Sequence, residues 1–242
     1  MNADDTNNPS ADLGREDGPR LWPLWVWVVL ACVLVAAGWA LLLFADLPVA
    51  RWVAAHRDDA GVRTFAHIVT PLGGNPFYWL VVAALAASGW VARRREWLRA
   101  AGLSAAAFVL LGGTGHIIKL LTHRVRPRSV DVFMPRNWHE FLFTGEYHSF
   151  PSGDVTIAFA LVTICVLVAW RGWWRWLVFV IPAVVAVGRV LRWAHYPSDC
   201  LGGAVLGGLG AYVMCCWWAA RQGRSQNAEC RTQNDDAPDA TG

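Results

Sequence analysis

The chain alternates long apolar runs with short polar intervals. The first run, Leu21–Phe44, carries no charge across 24 residues, enough to cross a bilayer at about 1.5 Å per residue. The interval Ala45–Thr70 holds Arg51, His56, Arg57, Asp58, Asp59 and Arg63, and reads as a loop, parts of which can form a short surface helix. Further spans are expected at Pro76–Ala92, closed by Arg93, Arg94 and Arg95, and at Ala100–Ile118, whose Ala and Gly permit close packing. A long polar loop, Lys119–Gly153, separates these from a fourth span, Val155–Trp170, and a sixth, Cys200–Ala220. The fifth, Trp176–Gly188, has a charge-free core of only 13 residues and needs Arg175 to snorkel toward an interface. The pattern predicts an all-α bundle of six transmembrane helices over residues 21–220. Polar tails at residues 1–20 and 221–242 read as disordered.

Six spans place both termini on one side and gather the loops after spans one, three and five on the other. With a cytoplasmic N-terminus, Lys and Arg divide 11 inside to 10 outside, so the count alone decides nothing. The compact groups Arg93–Arg95 with Arg99, Arg171 with Arg175, and Arg221 with Arg224 press against span ends and favour cytoplasmic termini. No short basic segment leads into an apolar core with a small-residue cleavage site, so the first run is expected to stay as a membrane helix. The expected location is the plasma (inner) membrane, with the polar clusters at the outer, extracytoplasmic interface.

Composition agrees with this pattern. Hydrophobic residues make up 55% and charged residues 16%, which excludes an ordinary soluble globule. Several of the 16 Trp, among them Trp22, Trp97, Trp170, Trp173 and Trp217, stand at the ends of apolar runs, where indoles anchor at interfaces. The net charge of +3 forms no stripe that could track nucleic acid. The six Cys show neither metal-ligand spacing nor a disulfide framework, and read as small buried hydrophobes.

Three polar clusters end the spans on one side. In Lys119–Pro127, a helix continuing past Ile118 would align Lys119, His123 and Arg126 on one face until Pro127 stops it. Phe150-Pro151-Ser152-Gly153-Asp154 opens span four, where free backbone N–H groups make an anion site. In the third cluster Arg189 precedes His195, and Asp199 lies four residues beyond it; a carboxylate there can accept from one imidazole nitrogen and leave the other free to attack. Each cluster alone also fits a plain role, as interface anchors, a helix cap and a structural pair. Together, three cations, a helix N-terminus and an oriented histidine at one face describe a phosphoryl-transfer site. His67, His116 and His139 read as polar or packing residues, and Glu140 and Glu146 as solvated loop charges.

Lys119…Arg126-Pro127, Pro151-Ser152-Gly153 and Arg189…His195…Asp199 together resemble the type 2 phosphatidic acid phosphatase superfamily, over about residues 21–220. The resemblance implies a lipid phosphatase that needs no metal or other cofactor. His195 would attack phosphorus to form a phosphohistidine, with Asp199 orienting it. Lys119, Arg126, Arg189, Ser152 and the Gly153 backbone would bind the phosphate. The partners implied are a lipid phosphate and the bilayer, not nucleic acid.

Two positions depart from the family pattern. Gly188 stands where a Ser is common before the third-motif Arg, and Asp154 replaces the histidine that protonates the leaving oxygen. Asp154 takes that catalytic position, but nearby Lys and Arg favour the ionised form of a carboxyl, which makes it a poor acid for expelling an alkoxide unless burial dominates. Either the substrate is a diphosphate, whose leaving phosphate has a second pKa of about 6, or His148 or His123 donates, or turnover is slow. A prenyl diphosphate or a phosphatidic-acid-like lipid is the expected substrate. The competing readings are a phosphotransferase and a non-catalytic lipid-phosphate binder.

Overall fold

The structure, a computed structural model, describes residues 29, 33, 34, 36–129 and 145–235, and every regular element among them is helical. Helix α1 (Ala36–His56) starts inside the first apolar run but continues through Asp46 to His56. Pro48 lacks the N–H for the helical bond to residue 44, and the ladder widens to π-helical over Leu41–Ala45 just before it. The expected loop Ala45–Thr70 is therefore mostly helix, and the Ala and Arg in its stretches favour helical backbone. Its break falls at Asp58 and Asp59, where the Asp59 carbonyl accepts the Arg63 N–H and opens α2 (Ala60–Val69).

A 3-10 turn at Thr70–Gly73 leads into α3 (Asn75–Val91), and the two helices are bent by 48°. Then come α4 (Arg95–Thr122), α5 (Gly153–Ile164) with a π-helical extension Cys165–Ala169, and α6 (Val180–Leu191), preceded by a 3-10 stretch. Helix α7 (Pro197–Asp235) continues beyond residue 220. The expected N-terminal tail, residues 1–20, lies outside the described residues.

Among the described residues, four helical segments are long and apolar enough to cross a membrane: Ala36–His56, Arg95–Ser129, Trp173–Leu191 and Pro197–Arg224. The bent pair α2–α3 passes the same test only when its two helices are taken together, as one broken span or a re-entrant loop. The fourth expected span, Val155–Trp170, corresponds to the shorter apolar helix Gly153–Ala169. Its position explains its length. Ile157, Leu161 and Cys165 pack on Tyr78, Val82 and Leu85 of α3, while Ala160 and Ile164 pack on α4 and Ala211 of α7. Val155 meets Val69, Val185 and Cys200. Helix α5 is thus the centre of the bundle, apolar on all sides because every side is covered. The outer helices expose Phe44, Trp90, Val91, Leu121 and Val213, side chains that lipid rather than water can accommodate. The chain is an integral membrane protein.

Helices α5 and α7 make the closest contact. A methyl on Gly203 would stand 2.6 Å from the Ser152 carbonyl, and one on Gly207 would overlap the Thr156 carbonyl. At Gly208 the nearest atom is 3.9 Å away. Gly207→Ala should therefore cost about 1–3 kcal/mol by forcing two backbones apart, and Gly208→Ala should be neutral. Thermal unfolding in detergent of the two variants checks this.

Candidate active site

The site lies where the C-termini of α4 and α6 meet the N-termini of α5 and α7. Helix α4 stops at Thr122, and His123 caps it in the left-handed region at φ 44°. Lys119 is on the last helical turn, but Arg126 lies beyond the helix, so the single face expected for Lys119, His123 and Arg126 does not form. The backbone there pairs with the following loop instead. The Arg124 carbonyl accepts from the Ser149 N–H at 3.0 Å, and the Arg126 N–H donates to the Glu146 carbonyl at 2.8 Å. Arg126 Nε donates to the Gly145 carbonyl, which aims the guanidinium. Arg128 and Ser129 both donate to the Glu146 carboxylate. Arg128 first of all holds that carboxyl below its usual range.

At the start of α5, Ser152 is fully buried, and its N–H donates to the Asp199 carbonyl at 3.0 Å. Its hydroxyl does not cap the helix and has no partner among the described residues. The first-turn N–H groups of α5 therefore remain open to an anion. A methyl on Gly153 would stand 3.4 Å from Lys119 Nζ, which places that ammonium against the helix N-terminus. Arg189, on the last turn of α6, pairs with Asp154 at 2.7 Å while its buried Nε has no partner. Arg126, Arg189, Asp154 and Asp199 all lie within electrostatic reach of Lys119.

His195 is 3% exposed. Its Nδ1 bonds the Ser149 carbonyl at 2.8 Å and stands 3.7 Å from Asp199 Oδ2, so the expected direct bond to Asp199 is not made. Asp199 is already saturated. It accepts from Arg124 at 2.6 Å, from Ser149 Oγ at 2.5 Å and from the Tyr196 N–H at 2.9 Å. Ser149 thus links the two, with its hydroxyl on Asp199 and its carbonyl on His195. Burial above all, reinforced by Arg126 and Arg189 and opposed by Asp199, pushes the His195 imidazole below its usual pKa. Nδ1 then carries the proton, and Nε2 keeps its lone pair.

Asp46, Arg124, Ser149 and Ser198 were not among the expected residues. Arg124 donates to Asp46 at 2.5 Å as well as to Asp199, and its guanidinium lies 4.2 Å over the Tyr196 ring. Ser198 gives Asp46 two further bonds, from Oγ at 2.5 Å and from N–H at 3.0 Å. The sequence held one signal for Asp46: a lone carboxylate closing a charge-free run, which a helix buries only with a cationic partner. His116 and His123 approach His148, with ring centroids 6.0 Å and 6.3 Å away. His148 is buried, its Nε2 has no partner among the described residues, and burial, then His116 and Lys119, lower its pKa. No group of three or more His, Cys, Asp or Glu among the described residues is placed to hold a metal. His139 lies outside them.

An oxyanion cradle of cations and helix N–H groups beside a buried imidazole suits phosphoryl transfer, and comparison with known proteins agrees. The PAP2 superfamily profile matches residues 77–222, more than half of the chain. The chain belongs to the PAP2 superfamily. Two Mycobacterium tuberculosis proteins, from strains CDC 1551 and H37Rv, are each a decaprenylphosphoryl-5-phosphoribose phosphatase. Each is 32% identical over 157 residues, 64% of this chain and 81% of its own. Aquifex aeolicus LpxE shares the fold at TM-score 0.52 and 20% identity, over 70% of this chain and 93% of its own. A transmembrane PAP2-type phosphatidylglycerolphosphate phosphatase from Bacillus subtilis does so at TM-score 0.51 and 18% identity, over 82% and 96%. This PAP2 protein is a phosphatase that hydrolyses phosphate esters. Helix α1, which supplies Asp46, lies before the matched stretch.

Breaking the Asp46–Arg124 pair should be costly. Asp46→Ala removes one of the two carboxylates that hold Arg124 and leaves the buried Ser198 N–H without its acceptor, and should cost about 1–3 kcal/mol. Asp58→Ala removes an exposed pair with Arg57 at 3.7 Å and should cost less than about 1 kcal/mol. Thermal midpoints in detergent compare the two.

Proposed function

We propose that this PAP2 phosphatase removes a terminal phosphate from a prenyl-linked phosphate or diphosphate through a phosphohistidine on His195. The observation that carries the reading is the imidazole whose Nδ1 is fixed on the Ser149 carbonyl, which leaves Nε2 as the nucleophile beside Lys119, Arg126 and Arg189. Those cations, Ser152 Oγ and the Gly153 backbone hold the nonbridging oxygens, while Nε2 attacks phosphorus in line and the P–O bond to the leaving group breaks. Water then attacks the phosphohistidine, releasing phosphate and restoring the imidazole. Asp199 acts through Ser149 to keep His195 in its productive tautomer. The six-span topology, the outer-interface site and cytoplasmic termini in a plasma membrane complete the proposal. A headgroup can then reach His195 while its chain stays in the bilayer.

Asp154 is not the proton donor in this reading. Its carboxylate is held by Arg189 and serves to aim that guanidinium. A diphosphate needs little help, because the leaving phosphate is a weak base. The mycobacterial relatives, named for a prenyl-linked sugar phosphate, favour a second reading in which a monoester is cleaved. His148 is then the donor, since it is buried with an unpartnered Nε2.

Phosphate release from prenyl diphosphate, a prenyl-linked sugar phosphate and phosphatidic acid, without added metal, tests the proposal. His195→Ala should reduce release by about 10⁴-fold or more, as loss of a nucleophile does. His148→Ala should slow only the monoesters. Release that survives His195→Ala would contradict the mechanism. The pH profile has a defined sign. Attack needs neutral His195, whose pKa burial lowers, so the acid limb of kcat/KM should lie below the usual histidine range. An acid limb centred above pH 7 would contradict the assignment.

A further inference from the structure

A second cavity of about 470 Å³ opens beside the active site, within the range of about 300–1,000 Å³ typical of small-molecule sites. It shares two walls with that site. Arg128 and Ser129 follow Arg126 in the chain, and Arg192 and Trp193 lie between Arg189 and His195. The third wall is the α1–α2 junction and α2, which add Arg57, Asp58 and Arg63. Four guanidinium groups therefore face one space. Arg128 is paired with Glu146, and Arg57 contacts exposed Asp58 at 3.7 Å. Arg63 and Arg192 have no ion pair among the described residues.

Like charges gathered round a cavity repel, and an anion between them relieves that repulsion. A second observation concerns Trp193. Its ring lies under Arg57, at 5.2 Å from the guanidinium carbon, and its backbone is held in the left-handed region at φ 56°. Its indole Nε1–H is buried without an acceptor among the described residues. A buried donor lacking an acceptor is costly, and the cations beside it offer none. Guanidinium forks are matched by an oxyanion with several acceptor oxygens.

We propose that this cavity binds a second phosphate-class oxyanion while the first phosphate is cleaved at His195. The proposal rests on the lipid-phosphatase reading and extends it to a substrate class: headgroups bearing two phosphates, one placed at His195 and one between Arg63 and Arg192. The same chemistry is offered by the headgroup of a neighbouring anionic phospholipid, so the experiment separates the two sources.

The test uses binding, so it does not depend on turnover. Full-length His195→Ala protein in phosphatidylcholine nanodiscs is titrated with a prenyl-linked lipid carrying two phosphates and with its one-phosphate counterpart. Adding Arg63→Ala and Arg192→Ala, both exposed positions, should weaken the two-phosphate lipid by about tenfold or more, the loss of one charge-assisted contact or more. The one-phosphate lipid should bind unchanged. If the bilayer supplies the anion, the double variant changes neither lipid in phosphatidylcholine, but it abolishes a thermal stabilisation that phosphatidylglycerol gives the parent protein. If neither the binding nor the stabilisation changes, the cavity is not an oxyanion site and the proposal is overturned. Wild-type protein that turns over no lipid phosphate would contradict the phosphatase mechanism and leave these binding outcomes readable.

Discussion

The buried carboxylate of Asp199 is the group on which the rest of the site depends. A fully buried charge survives only if its acceptor positions are filled, and here the donors come from three parts of the chain: Arg124 after α4, Ser149 before α5, and the Tyr196 backbone at the entrance to α7. Satisfying one carboxylate therefore fixes the relative positions of three loops. Arg124 extends the constraint to α1, because its second amino group is held by Asp46. The His195 imidazole is set by this arrangement at one remove, through the Ser149 carbonyl.

Packing supplies the rigidity that the polar network needs. Glycines at 203 and 207 let α7 lie against the backbone of α5, which brings Ser152 and Asp199 close enough for a direct backbone bond. The N-terminus of α5 and the histidine-bearing segment are thereby held together. Helix α5 can be short because neighbours cover it on every side, so its length answers to the core rather than to the bilayer.

Much of the site was legible in the sequence. The spacing of Lys119, Arg126, Ser152, Gly153, Arg189, His195 and Asp199 marked residues that the fold gathers at one end of the bundle. Local periodicity misled where tertiary pairing won. Extending α4 to Arg126 ignored the bonds that Arg124 and Arg126 make with residues 145–149. Reading residues 45–70 as a loop rested on their charges, yet charges at the end of a long helix are compatible with it when one of them, Asp46, is buried against an arginine. Asp46 and Arg124 are separated by 78 positions, and no local pattern connects them. Ser149 was equally invisible, since its carbonyl orients His195 and a carbonyl leaves no mark on residue identity.

The central claim is covalent chemistry at His195, and trapping the intermediate tests it most directly. Protein mixed with a turned-over prenyl-linked phosphate and quenched in base should carry a base-stable, acid-labile phosphoryl group, assigned by mass spectrometry to the peptide containing His195. The account predicts that adduct in the wild type and its absence in His195→Ala. Turnover without any adduct, or the same adduct persisting on another residue in His195→Ala, would contradict it.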